Sequence, residues 1–156
     1  MLIGKYLTLE ECCKSATALR LGIDNQPNQQ QIIALQTLAT KIYDKCCEHF
    51  LLKIPVVSGF RSKGLNDSIS GSSQSSQHMR GEAFDLDLDG TMNGVTNAQL
   101  FNYIKQHLEY DQLIWEFGTD TNPSWVHVSY DVGGRNRKNI FKSSKANGKV
   151  HYKPYL

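Results

Sequence analysis

The chain is organised around one stretch, Ser76-Gln77-His78-Met79-Arg80-Gly81-Glu82-Ala83-Phe84-Asp85. It places a histidine and an aspartate seven positions apart, with a glycine and an alanine between them. The imidazole of His78 and the carboxylate of Asp85 are both good zinc ligands, at about 2.0–2.2 Å from the metal. The small residues allow the backbone to turn and to approach its neighbours closely. The stretch therefore predicts two metal ligands, and a third must come from elsewhere in the chain.

The strand predicted to begin at Ala83 alternates between apolar and acidic residues. Its apolar set is Phe84, Leu86 and Leu88, and its acidic set is Asp85, Asp87 and Asp89. Successive side chains of a strand point to opposite faces, so one face is core and the other carries carboxylates. The acidic set also matches the opening of a calcium loop, D-x-D-x-D-G. Position twelve of that loop would be Thr96, which has no carboxylate, so calcium is not expected.

The third ligand is predicted from the strand Trp125-Val126-His127-Val128-Ser129. Val126 and Val128 face the core, so His127 points to the opposite side. A lone histidine in a strand is more often packed than metal-bound, but the stretch around His78 gives this one two partners. Three protein ligands leave one position of a zinc ion open, as catalytic zinc sites require. We therefore predict one zinc per chain on His78, Asp85 and His127.

Hydrophobic periodicity and turn residues predict the rest of the fold. Helices are expected over residues 9–21, around 32–46 and over 97–108, with one or two helical turns at 63–69. Strands are expected over residues 54–58, 83–88, 111–117 and 125–130, the last two forming an antiparallel hairpin. Helices first and strands later indicate an α+β fold. We expect an antiparallel sheet of about four to five strands, helices packed on one face and zinc on the open face.

Composition is typical of one soluble domain spanning residues 1–156. The chain is 40% hydrophobic and 21% charged, and it has no apolar run of the roughly 20 residues that span a bilayer. Residues 1–11 lack the features of a signal peptide, which favours a cytosolic product unless a precursor was cut. We expect a monomer. The pairs Cys12-Cys13 and Cys46-Cys47 lack C-x-x-C spacing, so reduced core cysteines are expected, with a Cys12–Cys46 bridge as the alternative.

Charge is unevenly distributed along the chain. All 15 acidic residues lie at or before Asp131. Seven of the 17 basic residues lie beyond it, namely Arg135, Arg137, Lys138, Lys142, Lys145, Lys149 and Lys153. The C-terminal segment 133–156, expected to be partly irregular, could attract an anionic wall polymer or acidic lipid, or it could simply be a solvated tail. Nucleic acid is not expected as a partner, because the segment lacks interleaved aromatic positions for base stacking over most of its length.

Three pieces of the chain together resemble the zinc D-Ala-D-Ala carboxypeptidase family. They are Ser58-Gly59-Phe60-Arg61, Ser76-x-His78-x-x-Gly81-x-Ala83-x-Asp85 and Trp125-Val126-His127. That family includes phage and bacterial cell-wall peptidases, the D,D-dipeptidases of vancomycin resistance and, by fold, the hedgehog signalling domain. The resemblance extends over about residues 7–137 and is closest to the short phage-type members.

The resemblance implies roles for individual residues. His78, Asp85 and His127 would match the zinc ligands. Arg61 would match an arginine that binds the substrate carbonyl and stabilises the developing oxyanion, a role suited to its fixed fork of donors. The alternative for Arg61 is a surface arginine that caps the strand end. Ser76 is expected to orient His78 or to contact substrate, with a solvent-facing serine as the alternative.

The general base is where this chain departs from the family's pattern. Several family members place an acid or a histidine two or three residues before the last ligand, where this chain has Trp125 and Ser124. Neither can serve as the base. Trp125 is expected to contact substrate. Glu116 is the best substitute, because pairing across the hairpin would bring it near His127. Asp120, in the turn of the hairpin, is the alternative.

The resemblance implies a zinc metallopeptidase that hydrolyses peptidoglycan stem peptides next to a D-amino acid. A D-Ala-D-Ala carboxypeptidase and an L-Ala-D-Glu endopeptidase both fit. The implied setting is a phage lysis enzyme made without a signal peptide and released to the cell wall through a holin. The alternative is a non-catalytic zinc module that binds cell wall or a protein partner.

Overall fold

A mixed β-sheet with helices against one face forms the fold, and the computed structural model describes residues 1–155 of the chain. The helices are α1 (Leu9–Cys13), α2 (Ala16–Leu21), α3 (Gln29–Leu38), α4 (Asp44–Phe50), α5 (Lys63–Ser68) and α6 (Asn97–His107). A π-helical turn (Ala39–Tyr43) joins α3 to α4, and a 3₁₀ helix covers Gln77–Arg80. The strands are β1 (Val56–Ser58), β2 (Ala83–Leu86), β3 (Gln112–Glu116), β4 (Trp125–Ser129), β5 (Asn139–Ala146) and β6 (Lys149–Pro154).

The six strands lie in the order β1-β2-β4-β3-β5-β6. The predicted α+β class is confirmed, as is the antiparallel pairing of β3 with β4. The sheet is nevertheless mixed rather than purely antiparallel, because β5 runs parallel to β3. It also has more strands than expected, since the C-terminal segment folds into the antiparallel β5–β6 hairpin.

The single helix expected over residues 9–21 is broken into α1 and α2. Lys14 ends α1 in an extended conformation, with φ −65° and ψ 126°. The side chain of Ser15 then accepts a hydrogen bond from the backbone N–H of Ala18 and caps α2. A serine that bonds to the backbone in this way competes with helix continuation, so the helical pattern restarts after it.

The two faces of the central strands divide as predicted. Phe84 and Leu86 of β2 and Val126 and Val128 of β4 are fully buried in the core. They belong to one cluster with apolar residues of α3, the π-helical turn and α6, including Leu35, Leu38, Ile42, Leu100 and Ile104. Asp85 and His127 alternate with these residues and therefore point to the opposite face of the sheet.

Two further features bear on the expectations from sequence. All four cysteines are free thiols, and Cys12, Cys46 and Cys47 are buried. Among residues 1–155, no helix has both the length and the apolar character needed to cross a bilayer.

Candidate metal centre

Three side chains of metal-binding type converge on the face of the sheet away from the core. Asp85 of β2 and His127 of β4 are directly opposite each other in the antiparallel ladder, and His78 comes from the 3₁₀ helix before β2. His127 Nδ1 lies 2.9 Å from Asp85 Oδ1, and His78 Nε2 lies 3.4 Å from Asp85 Oδ2. One ligand atom from each residue lies within 4.8 Å of the other two. The structure therefore brings together the three residues predicted as ligands.

The ring of His78 is held in one tautomer. Its Nδ1 lies 2.7 Å from the carbonyl oxygen of Gly59, which can only accept, so Nδ1 carries the proton. Nε2 then has a free lone pair, and this buried atom has no hydrogen-bond partner among residues 1–155. Burial lowers the pKa of His78, which keeps the ring neutral and able to coordinate. Two imidazoles and one carboxylate are a donor set that suits zinc, and a metal would satisfy the orphaned nitrogen.

Two glycines allow the backbone around His78 to pack closely. Gly81 ends the 3₁₀ helix with φ 73°, and a Cβ there would lie 2.5 Å from the carbonyl oxygen of Gln31 in α3. A Cβ on Gly59 would lie 2.5 Å from the carbonyl oxygen of Cys12. Side chains at these positions would displace backbone, so the two glycines fix where His78 stands. This confirms the close approach predicted from the small residues of the motif.

Arg61 lies inside the site rather than at the surface. Its side chain is 15% exposed, and Nη2 donates to Asp85 Oδ2 at 3.0 Å. Nε donates to Ser58 Oγ, also at 3.0 Å, which fixes the plane of the guanidinium. Burial opposes ionisation of Asp85, but its hydrogen bond with the imidazole of His127 helps to hold the pKa of this carboxyl well below its usual range. The site thus pairs a carboxylate with a permanent cation.

Glu116, predicted as the general base, lies on the same face of the sheet. It is the Cα partner of Trp125, so His127 is its diagonal neighbour, about 7–8 Å away between Cα atoms. Glu116 is 6% exposed, and its Oε2 accepts a hydrogen bond from the hydroxyl of Ser143. Burial raises the pKa of Glu116, although the bond from Ser143 opposes that shift. A raised carboxyl pKa brings proton exchange closer to neutral pH.

Of the other residues predicted from the sequence, Trp125 and Ser76 lie in the wall of the cleft and Asp120 lies outside it. Asp120 is outside it, with a 96% exposed side chain that pairs with Lys142, and this pairing lowers the pKa of the Asp120 carboxyl. Trp125 and Ser76 line the cleft. Ser76 Oγ also accepts a hydrogen bond of 3.3 Å from the backbone N–H of His78. Of the two carboxylates considered as a base, the structure places only Glu116 beside the three clustered side chains.

A cleft of about 900 Å³ surrounds these residues. The serine-rich loop 69–76 and the β5–β6 hairpin each form part of its wall. Four hairpin residues line the cleft, namely Phe141, Lys145, Val150 and Tyr152. Sequence reasoning missed this wall. The signal that would have found it is Asn147-Gly148, the favoured dipeptide of a two-residue hairpin turn, whose φ angles are 51° and 73°.

One family model matches the chain. The family model described as Peptidase M15 matches residues 5–129. The chain belongs to the peptidase M15 family. The resemblance to zinc D-Ala-D-Ala carboxypeptidases predicted from the motifs is therefore confirmed, and the chain is a member of a family of zinc metallopeptidases. No curated protein matches the chain. The matched region of this M15 peptidase contains the whole residue cluster and Arg61 and Glu116, and it ends before β5.

Proposed function

We propose that this M15 peptidase hydrolyses peptidoglycan stem peptides next to a D-amino acid, with zinc held by His78, Asp85 and His127. The observation that carries the proposal is the buried Nε2 of His78, which has no hydrogen-bond partner among residues 1–155 and lies 3.4 Å from the carboxylate of Asp85. When bound, zinc supplies a Lewis acid that polarises the scissile carbonyl and lowers the pKa of water to about 7. The cleft is of a size that accommodates a short peptide.

Glu116 is the general base of the proposed reaction. Its buried carboxyl takes a proton from the attacking water and passes it to the leaving amine as the peptide bond breaks. Its raised pKa suits both transfers, because the group must be deprotonated at the start and protonated midway. Removing such a base typically costs about 10²–10⁴ in rate.

Arg61 binds the carbonyl oxygen of the scissile bond. Its guanidinium is already oriented by Ser58 and Asp85, so it need not reorganise as negative charge develops on that oxygen. Ser76 and Trp125 contact the substrate from the cleft wall, where Trp125 offers a flat apolar surface.

The basic hairpin is the proposed contact with an anionic wall polymer. Lys145 lines the cleft, whereas Lys149 and Lys153 alternate with the cleft-lining residues of β6 and point to its other face. The hairpin therefore carries basic charge on both of its faces. A phage lysis enzyme is the setting that we propose, with passage to the wall through a holin and one domain acting as a monomer.

Digestion of purified muropeptides, with product masses measured, tests this function. We expect loss of a terminal D-alanine from pentapeptides for a carboxypeptidase, or cleavage between L-alanine and D-glutamate for an endopeptidase. Glu116→Gln should retain about one zinc per chain and lose turnover. Asp120→Asn is the matched control, because it removes a carboxylate outside the cleft, and it should retain turnover. Zinc binding without any cleavage would favour the non-catalytic module instead.

A further inference from the structure

The β5–β6 hairpin lies outside the part of the chain that the family model matches, yet it reaches the base of the proposed reaction. In the parallel pairing of β3 with β5, Glu116 and Ser143 are Cα partners. Ser143 is 1% exposed, although its neighbours Ser144 and Lys145 are exposed. Ser143 is the only buried residue of β5, and its hydrogen bonds supply a reason for that burial.

The hydroxyl of Ser143 has its direction fixed by two neighbours. Its oxygen accepts a hydrogen bond of 3.1 Å from the backbone N–H of Phe117. That N–H can only donate, so the hydroxyl hydrogen is free to point at the Oε2 of Glu116. Ser143 therefore holds Oε2 of Glu116 through its hydroxyl hydrogen and the backbone N–H of Phe117 through its hydroxyl oxygen. Glu116 Oε1 has no hydrogen-bond partner within residues 1–155 and belongs to a side chain that lines the cleft.

We propose that Ser143 is a positioning residue that holds Oε2 of Glu116 and thereby presents Oε1 to the substrate in the cleft. The proposal rests on the assignment of Glu116 as general base. The proposal adds β5, which lies beyond the matched region, to the proposed active site. A base held in one orientation transfers protons faster than one that rotates. Misplacement of a reacting group by about 1 Å can cost about 10²-fold in rate, so a freed carboxylate should be measurable.

Steady-state kinetics on muropeptides tests the proposal with the full chain loaded with zinc. Ser143→Ala removes the donor and should lower kcat by about 10–100-fold, with KM and zinc content nearly unchanged. Ser143→Thr keeps a hydroxyl and should restore most of kcat. Ser144→Ala is the matched control from the same strand, because that side chain is exposed, and it should behave as the wild type.

A double mutant separates positioning from simple stability. In the Glu116→Gln background, Ser143→Ala should cause no further loss of kcat, because the group that it positions no longer acts. A further loss equal to that in the wild type would overturn the proposal. Ser143→Cys keeps the size of the side chain with a weak donor, so it carries the test if Ser143→Ala does not fold, and an unchanged kcat in Ser143→Cys would refute it.

The role of Glu116 as base and the role of Ser143 in positioning it are refuted by different results. If Glu116→Gln retains full turnover, the assigned base is wrong, and the role of Ser143 falls with it. If Glu116→Gln is inactive while Ser143→Ala and Ser143→Cys match the wild type, the proposed function stands and the positioning role is wrong. If both sets of variants lose kcat and Ser143→Thr recovers it, both assignments are supported.

Discussion

Replacing Gly81 by alanine should displace His78 and weaken metal binding. Gly81 has φ 73° and ψ 22°, and an added Cβ would lie 2.5 Å from the backbone oxygen of Gln31. Gln31 also donates to the carbonyl oxygen of Met79 at 2.9 Å, so the same residue anchors the 3₁₀ helix. Relieving the clash must therefore move this helix away from α3 and carry the ring of His78 with it.

Gly22 provides a control of nearly identical backbone conformation. It ends α2 with φ 64° and ψ 31°, and nothing lies within 4 Å of an added Cβ. Both alanine variants share the cost of the left-handed conformation, about 1–2 kcal/mol. Only Gly81→Ala adds an overpacking cost of about 1–3 kcal/mol, which corresponds to an extra fall in Tm of about 2–12 °C in a domain of this size.

Thermal unfolding and zinc competition with a chelating dye measure the two effects. Gly22→Ala should lower Tm modestly and leave zinc affinity unchanged. Gly81→Ala should lower Tm further and weaken zinc binding at least about tenfold, because supporting contacts of metal ligands are typically worth 10–100-fold in affinity. Equal Tm losses and equal zinc affinities in the two variants would refute the close approach of the 3₁₀ helix to α3.

Three further predictions concern the site and its surroundings. His127→Ala should lose zinc. In chemical unfolding, zinc at about 100 times its Kd should stabilise the wild type by about 2.7 kcal/mol and should not stabilise this variant. Arg61→Lys should keep zinc and lower kcat/KM by about 10²–10³-fold, because an ammonium cannot replace the oriented fork; unchanged kinetics would contradict the role. The hydrogen bond from Arg137 lowers the pKa of Asp111, so this pair stabilises the fold above the unfolded pKa of about 3.9 and stops doing so as pH falls through the folded value. Urea unfolding should therefore show a deficit for Arg137→Gln at pH 6 that shrinks below about pH 4.

The metal-binding residues were predictable because each of them carries a local signal. Alternation along β2 and β4 assigned Asp85 and His127 to one face, and the structure pairs them directly. His78 lies in a 3₁₀ helix of one turn that ends at Gly81, so the position of this histidine also follows from a short stretch of sequence. Their meeting depends on the pairing of β2 with β4 across 42 positions of the chain, and the match of their residue types to a zinc ligand set suggested that contact.

The hairpin wall was missed for a different physical reason. Its strands are half exposed and carry lysine and serine at many positions, so hydrophobic periodicity is weak along β5 and β6. The contact between Ser143 and Glu116 depends on a parallel pairing between strands 27 positions apart in the chain. Such a register is set by tertiary packing, and no local pattern specifies it.

The two outer strands of the sheet carry features that discourage another chain from pairing with them. β1 has three residues and an irregular register against β2. β6 carries Lys149 and Lys153 and ends at Pro154, which has no N–H to offer. Short, irregular, lysine-rich or proline-containing borders are how β-proteins discourage edge-to-edge aggregation. Lys149 and Lys153 therefore protect the edge strand β6 from aggregation, and this role does not depend on polymer binding.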